Sequence, residues 1–151
     1  DMKSINNNAP VKCSKTVIIS ANSEKVWAVL TDISNWPAWQ TDISKSFLHG
    51  DLKPGRNFNW TSGGANILST IHTVEPFSYF GWTGKAVGLF AVHNWILMET
   101  SGQTIVTVEE SMEGFLAVLL RKSLNRNLEK GMHNWLALLK QACEKKQAIP
   151  A

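Results

Sequence analysis

The chain has 151 residues, 44% of them hydrophobic and 18% charged, the balance of one globular domain with a sizeable core rather than a disordered chain. Its formal charge of +3 is carried by scattered Lys and Arg. The nearest cluster, Arg121-Lys122 with Arg126, fits a solvated helix face without a recognition motif, so nucleic acid is not an expected partner. The longest apolar runs, such as residues 114–120, are too short to cross a bilayer.

Residues 1–10 are polar and end in Pro10, which predicts a flexible leader. The β-branched run Thr16-Val17-Ile18-Ile19 then predicts a first strand over residues 11–20. Asn22 or Ser23 can cap a following short helix, with Glu24 in its first turn and Val26, Trp27 and Leu30 at helical spacing. Pro37 opens a second helical turn that carries Trp36 and Trp39. A single domain is expected over residues 11–147, with residues 148–151 as a flexible end.

Strand and turn patterns fill residues 43–112. Ser62-Gly63-Gly64-Ala65 signals a two-residue hairpin loop, which sets Trp60 against Ile67 and Phe58 against Ser69. Phe58, Trp60, Ile67, Ser69 and Ile71 then share a face, and His72 points to the other unless a bulge intervenes. Pro76 interrupts the pattern, which resumes with Phe80 and Trp82 alternating. The last hairpin turns at Ser101-Gly102. Counting back, Leu97 meets Val106, Trp95 meets Val108, and His93 meets Glu110 on the more apolar face. From Phe115 to about Lys146 an apolar stripe of Leu116, Leu119, Leu120, Leu124, Leu128, Met132, Trp135, Leu136 and Leu139 predicts one long helix. Such a stripe needs a large concave surface, which a bent sheet of six to seven strands supplies.

This order of elements resembles the helix-grip fold of the START-like (SRPBCC) superfamily, which includes birch-pollen-allergen-like proteins. The bacterial polyketide cyclase/dehydrase type is the most similar subgroup. The residues that carry the resemblance are Ile19-Ser20-Ala21-Asn22-Ser23-Glu24-Lys25-Val26-Trp27, Leu30-Thr31-Asp32 and Trp36-Pro37-Ala38-Trp39. Pro54-Gly55 with Phe58 and Trp60, Val74-Glu75-Pro76, His93-Asn94-Trp95 and residues 104–114 complete them. The resemblance spans roughly residues 12–145 and implies an α+β fold with a cavity between sheet and helix. It implies no obligatory metal or organic cofactor. It is specific for fold and weak for chemistry, because the superfamily hosts cyclases, lyases, lipid carriers, hormone receptors and chaperone activators.

Seven Trp in so small a chain suggest a broad, rigid apolar lining, although any one of them can equally be core. Expected ligand-binding residues are Trp36 and Trp39 from the helical turn, and Phe58, Trp60, Ser69, Ile71, Phe80 and Trp82 from the meander. The last hairpin adds His93, Trp95, Leu97, Val106, Val108 and Glu110, and the final helix adds Leu124, Leu128 and Met132. His93 and Glu110 are the candidate catalytic pair. A carboxylate beside an imidazole holds one tautomer and suits acid–base work on an enolisable ligand. The same pair equally serves to fix the hairpin or to anchor a ligand carbonyl.

His49, His72 and His133 read as surface residues, which leaves no metal trio. Arg56 either meets a ligand anion at the cavity mouth or faces solvent. Gly131 either permits close approach or is a tolerated surface glycine. Cys13 and Cys143 have no zinc-like spacing and are expected as free thiols. No phosphate loop, nucleophile elbow or CxxC motif is present.

The leading expectation is therefore a binder of a small hydrophobic molecule: a lipid, an aromatic or a polyketide-like compound. One alternative is a cyclase/dehydratase-type enzyme using His93 and Glu110; another is a protein-interaction module. A cytoplasmic location is expected, with export after signal-peptide removal as the alternative.

Overall fold

In the computed structural model, which describes residues 2–145, seven strands and three α-helices follow one another along the chain. Strand β1 (Val11–Ile19) leads to α1 (Ser23–Thr31) and a 3-10 helix (Ile33–Ala38). The meander comprises β2 (Ile43–Leu48), β3 (Asn57–Ser62), β4 (Ala65–Glu75), β5 (Tyr79–Ala86), β6 (Leu89–Thr100) and β7 (Gln103–Glu113). Helices α2 (Phe115–Leu119) and α3 (Arg121–Glu144) close the chain. The expected final residues of the domain, Lys146 and Gln147, and the expected flexible end at 148–151 lie outside the described residues.

All strand pairs are antiparallel, in the order β1-β7-β6-β5-β4-β3-β2. Local chemistry explains the boundaries. Asn22 caps α1 by accepting from the Lys25 N–H at 2.9 Å. Gly63 and Gly64 (φ 56° and 81°) and Ser101 and Gly102 (φ 51° and 77°) form left-handed two-residue turns that match the strand twist. The registers counted from those turns hold: Phe58 pairs with Ser69, Trp60 with Ile67, Trp95 with Val108 and His93 with Glu110.

Helix α3 packs on one face of this sheet and runs along β1. Lys140 Nζ donates to the Ile18 carbonyl at 2.8 Å, and Asn125 Nδ2 to that of Pro10 at 2.9 Å. Leu128, Met132, Trp135, Leu136 and Leu139 are buried from the helix side, and Leu124 packs at the margin. No described helix is long and apolar enough to cross a membrane.

One expectation needs revision. The final helix is two helices, not one: Leu120 leaves helical geometry (φ −106°, ψ 26°) between α2 and α3. Leu119 and Leu120 consequently leave the buried stripe and lie exposed. The cause lies in the preceding turn. Gly114 (φ 111°) sits against the Gly88 carbonyl, and the Leu116 N–H donates to that same oxygen at 3.2 Å. This pins α2 to the β5–β6 turn while α3 follows β1. The described residues of the leader form no helix or strand and hydrogen-bond to the sheet. The Asn6 N–H donates to Ser111 Oγ and its Nδ2 to Glu113 Oε1, both at 2.9 Å, and Asn94 Nδ2 donates to the Lys3 carbonyl at 2.8 Å.

Candidate functional site

The register lines up one row of side chains across five strands: Cys13, Glu110, His93, Trp82 and Ile71. The next row reads Lys15, Val108, Trp95, Phe80 and Val74. Both rows follow from strand alternation, which sends every second residue to the face that α3 covers. Their centre is aromatic, and it is where the expected catalytic pair meets.

His93 Nδ1 lies 2.6 Å from Glu110 Oε1, and both side chains are buried. An ionised carboxylate only accepts, so in that state the proton of this hydrogen bond sits on Nδ1, and Nε2 of a neutral ring is an acceptor. The imidazole stacks on Trp82 with centroids 4.3 Å apart and planes 12° from parallel. Trp95 tilts beside it at 5.6 Å, and Trp135 from α3 meets both rings, at 6.4 Å and 5.5 Å.

Two polar atoms in this cluster are buried without a hydrogen-bond partner among the described residues: His93 Nε2 and Trp95 Nε1. Leaving such groups unpaired costs about 1–3 kcal/mol each. Neighbouring Trp residues are treated differently. Trp36 Nε1 donates to the Leu30 carbonyl at 2.9 Å and Trp60 Nε1 to Ser69 Oγ at 3.0 Å. Ser69 is thereby engaged by Trp60.

Trp36 packs into the same aromatic cluster. Its ring contacts Phe58, Trp60, Trp82 and Trp135 with centroids 5.2–5.7 Å apart. Rings thus occupy the space between sheet and helix in this conformation. Phe80 extends the cluster to Trp27 at 6.1 Å, while Ile71, Leu97, Val106, Val108, Leu128 and Met132 form buried aliphatic walls. Trp39 packs on Trp135 at 5.9 Å; it and Leu124 are half-buried. All the expected ligand-binding residues therefore belong to one core region.

Trp135 belongs to the same region, as its place in the helical stripe implied, although it was not among the expected ligand-binding residues; the burial of Gln40 was not expected. Trp135 was legible as part of the helical stripe, yet its opposition to His93 depends on how α3 seats. Gln40 gave no signal, because a lone polar residue after a helical turn reads as solvent-facing. It is fully buried; its Oε1 accepts from the Asp42 N–H at 2.8 Å, and its Nε2 has no partner among the described residues, like Trp39 Nε1.

The other singled-out residues lie elsewhere. Despite a bulge between Ile71 and Thr73, His72 keeps its expected outward position, where it lies over Gly81 beside Asn94. His72 is half-buried rather than an open surface residue. Burial lowers its pKa from 6.5, an effect that the Asn94 side chain opposes and Lys3 reinforces. His49 is exposed, 2.6 Å from Asn59 Oδ1, and His133 is exposed on α3. Arg56 lies against the Gly50 turn. Cys13 and Cys143 are free thiols, and burial pushes the Cys143 thiol up to about 12. Among the described residues no cluster of three His, Cys, Asp or Glu could hold a metal. An open polar groove at Lys15, Asp42, Arg126, Lys130 and His133 holds none of the expected ligand-binding residues.

In sequence, residues 10–141 match the family described as polyketide cyclase/dehydrase and lipid transport. No curated protein matches the chain. In fold the chain is similar to a hypothetical protein of Helicobacter pylori (TM-score 0.82, 21% identity, covering 95% of this chain and 98% of that one). It is also similar to the ZhuI aromatase/cyclase of a Streptomyces species (TM-score 0.78, 14% identity, 88% and 93% covered). A START superfamily protein of Mycobacterium smegmatis gives 0.75 at 14% identity, with 88% and 97% covered. These identities speak for the fold alone, and the fold is the helix grip. On the family match, the chain belongs to the polyketide cyclase/dehydrase and lipid transport family.

Proposed function

We propose that this protein binds a small, mostly apolar molecule bearing a hydroxyl group, seated between the sheet and α3. The observation that carries the reading is the pair of unpartnered buried nitrogens, His93 Nε2 and Trp95 Nε1, on neighbouring rings within an otherwise apolar lining. Trp95 Nε1 only donates. With Glu110 accepting from Nδ1–H, Nε2 of a neutral His93 ring accepts. A hydroxyl does both, so a phenol, enol or alcohol matches the two atoms together, and the flat rings around them favour an aromatic body. Entry requires the Trp36 and Trp135 rings to part, a rearrangement that the ligand's own apolar contacts offset.

The test is native mass spectrometry of freshly purified protein. A co-purified hydrophobe is expected, released on denaturation and lost from the Trp95→Phe and His93→Phe variants. Folded wild-type protein that neither carries such a molecule nor takes one up from an added set of hydroxylated aromatics would contradict the reading.

The 2.6 Å contact between His93 and Glu110 favours one second reading. Neutral His93 Nε2 would accept a proton from an acidic C–H or O–H of the ligand, and Glu110 would stabilise the resulting imidazolium, as in cyclase or dehydratase chemistry. His93→Gln separates the two: it abolishes turnover while sparing affinity if the pair is catalytic, and alters affinity if the pair is an anchor.

A further inference from the structure

The end of the molecule where the β5–β6 turn meets α2 inverts the usual order of side chains. Helix α2 buries Ala117 and turns Phe115, Val118 and Leu119 outward, at 65%, 67% and 74% exposure. Val87, at the tip of the adjoining turn, is 87% exposed, and Leu120 follows at 45%. The two segments form one surface: the Leu116 N–H donates to the Gly88 carbonyl, and the Phe115 and Leu116 side chains lie over Gly88. Apolar side chains gathered at a protruding end are unfavourable in water unless something covers them.

The charges around this end indicate the cover. Arg121 and Lys122 open α3 directly after α2 and are exposed, and Lys85 is exposed beside the turn. Residues 114–128 and 79–98 contain no Asp or Glu. Glu113, at the base, is engaged by Asn6 Nδ2. A second copy docked symmetrically on this patch would bring the same cations together, which is repulsive. A bilayer with anionic headgroups accepts both features at once, taking the apolar tips into its acyl boundary and pairing the cationic rim with phosphates.

We infer that the β5–β6 turn and α2 form a docking surface for an anionic lipid bilayer, with Val87, Phe115, Val118 and Leu119 inserted and Lys85, Arg121 and Lys122 at the headgroups. The inference is independent of what the interior binds. It is tested by co-sedimentation of the full chain with phosphatidylcholine vesicles made with and without phosphatidylserine.

Wild-type protein is expected to sediment with the serine-containing vesicles, to be released by salt, and to ignore pure phosphatidylcholine. Each cation near such a surface contributes about fivefold in affinity, so Arg121→Gln with Lys122→Gln lowers binding by about 25-fold. Phe115→Ser with Leu119→Ser removes the inserted apolar surface and lowers binding to the same vesicles at low salt. These side chains are exposed, so the wild-type melting temperature should persist; if the serine pair does not fold, the glutamine pair carries the test alone. Failure of the wild type to bind at low salt, or variants that bind like it, would overturn the inference. A wild-type dimer that the serine pair dissolves, with no vesicle binding, would overturn it in favour of a second copy, and capture by a protein partner alone would do the same.

Discussion

Gly131 and His72 show how one residue's surroundings decide its role. A Cβ built on Gly131 meets nothing within 4 Å, so the tolerated-glycine alternative holds and close approach plays no part. Gly131→Ala should therefore stabilise the protein by up to about 1 kcal/mol, the helix-propensity difference, measured by urea denaturation. His72 behaves in the opposite sense to a paired surface histidine. Its folded pKa is depressed by burial below 6.5, so the unfolded chain binds the proton more readily. The stability that neutral His72 contributes is present above that value and is lost as pH falls through the folded pKa. Against a His72→Asn variant, the wild type should lose ground in unfolding experiments as pH drops from about 7 to about 5. A constant difference across that range would rule out the burial argument.

Elements show where sequence reasoning succeeds and where it stops. The hairpins were legible because Gly63-Gly64 and Ser101-Gly102 fix both turn type and loop length, and period-two alternation then places every side chain. The His93–Glu110 contact follows from that count alone, as does the inward face of Trp60 and Trp95. The break at Leu120 was not legible, since 114–128 reads as continuous helix and the interruption comes from a tertiary contact. That contact also explains why Gly114 and Gly131 differ. Gly114 has φ 111°, and a Cβ there would lie 2.3 Å from the Gly88 carbonyl oxygen. Gly114→Ala should cost about 1–3 kcal/mol or more, read as a lower urea midpoint, and should loosen α2 from the β5–β6 turn.

At the scale of the whole molecule, the sheet and α3 together make an apolar interior in which a few buried polar atoms have no hydrogen-bond partner among the described residues. Composition signalled that interior through the seven Trp, but could not say which indoles the fold would satisfy. Trp36 and Trp60 find partners within the chain; Trp95 and Trp39 find none among the described residues. The distinction depends on whether an acceptor lies within reach of each indole, the Leu30 carbonyl for Trp36 and Ser69 Oγ for Trp60.

The proposed seat is tested most directly by NMR of the seven indole N–H resonances during parallel titrations with naphthol and with naphthalene. Naphthol is expected to saturate at one site, to move the Trp95 indole resonance and the His93 ring signals, and to bind about tenfold or more tighter than naphthalene, as a hydroxyl satisfying buried partners should. Equal affinity for the two compounds, or saturation that leaves Trp95 and His93 unmoved, would contradict the account.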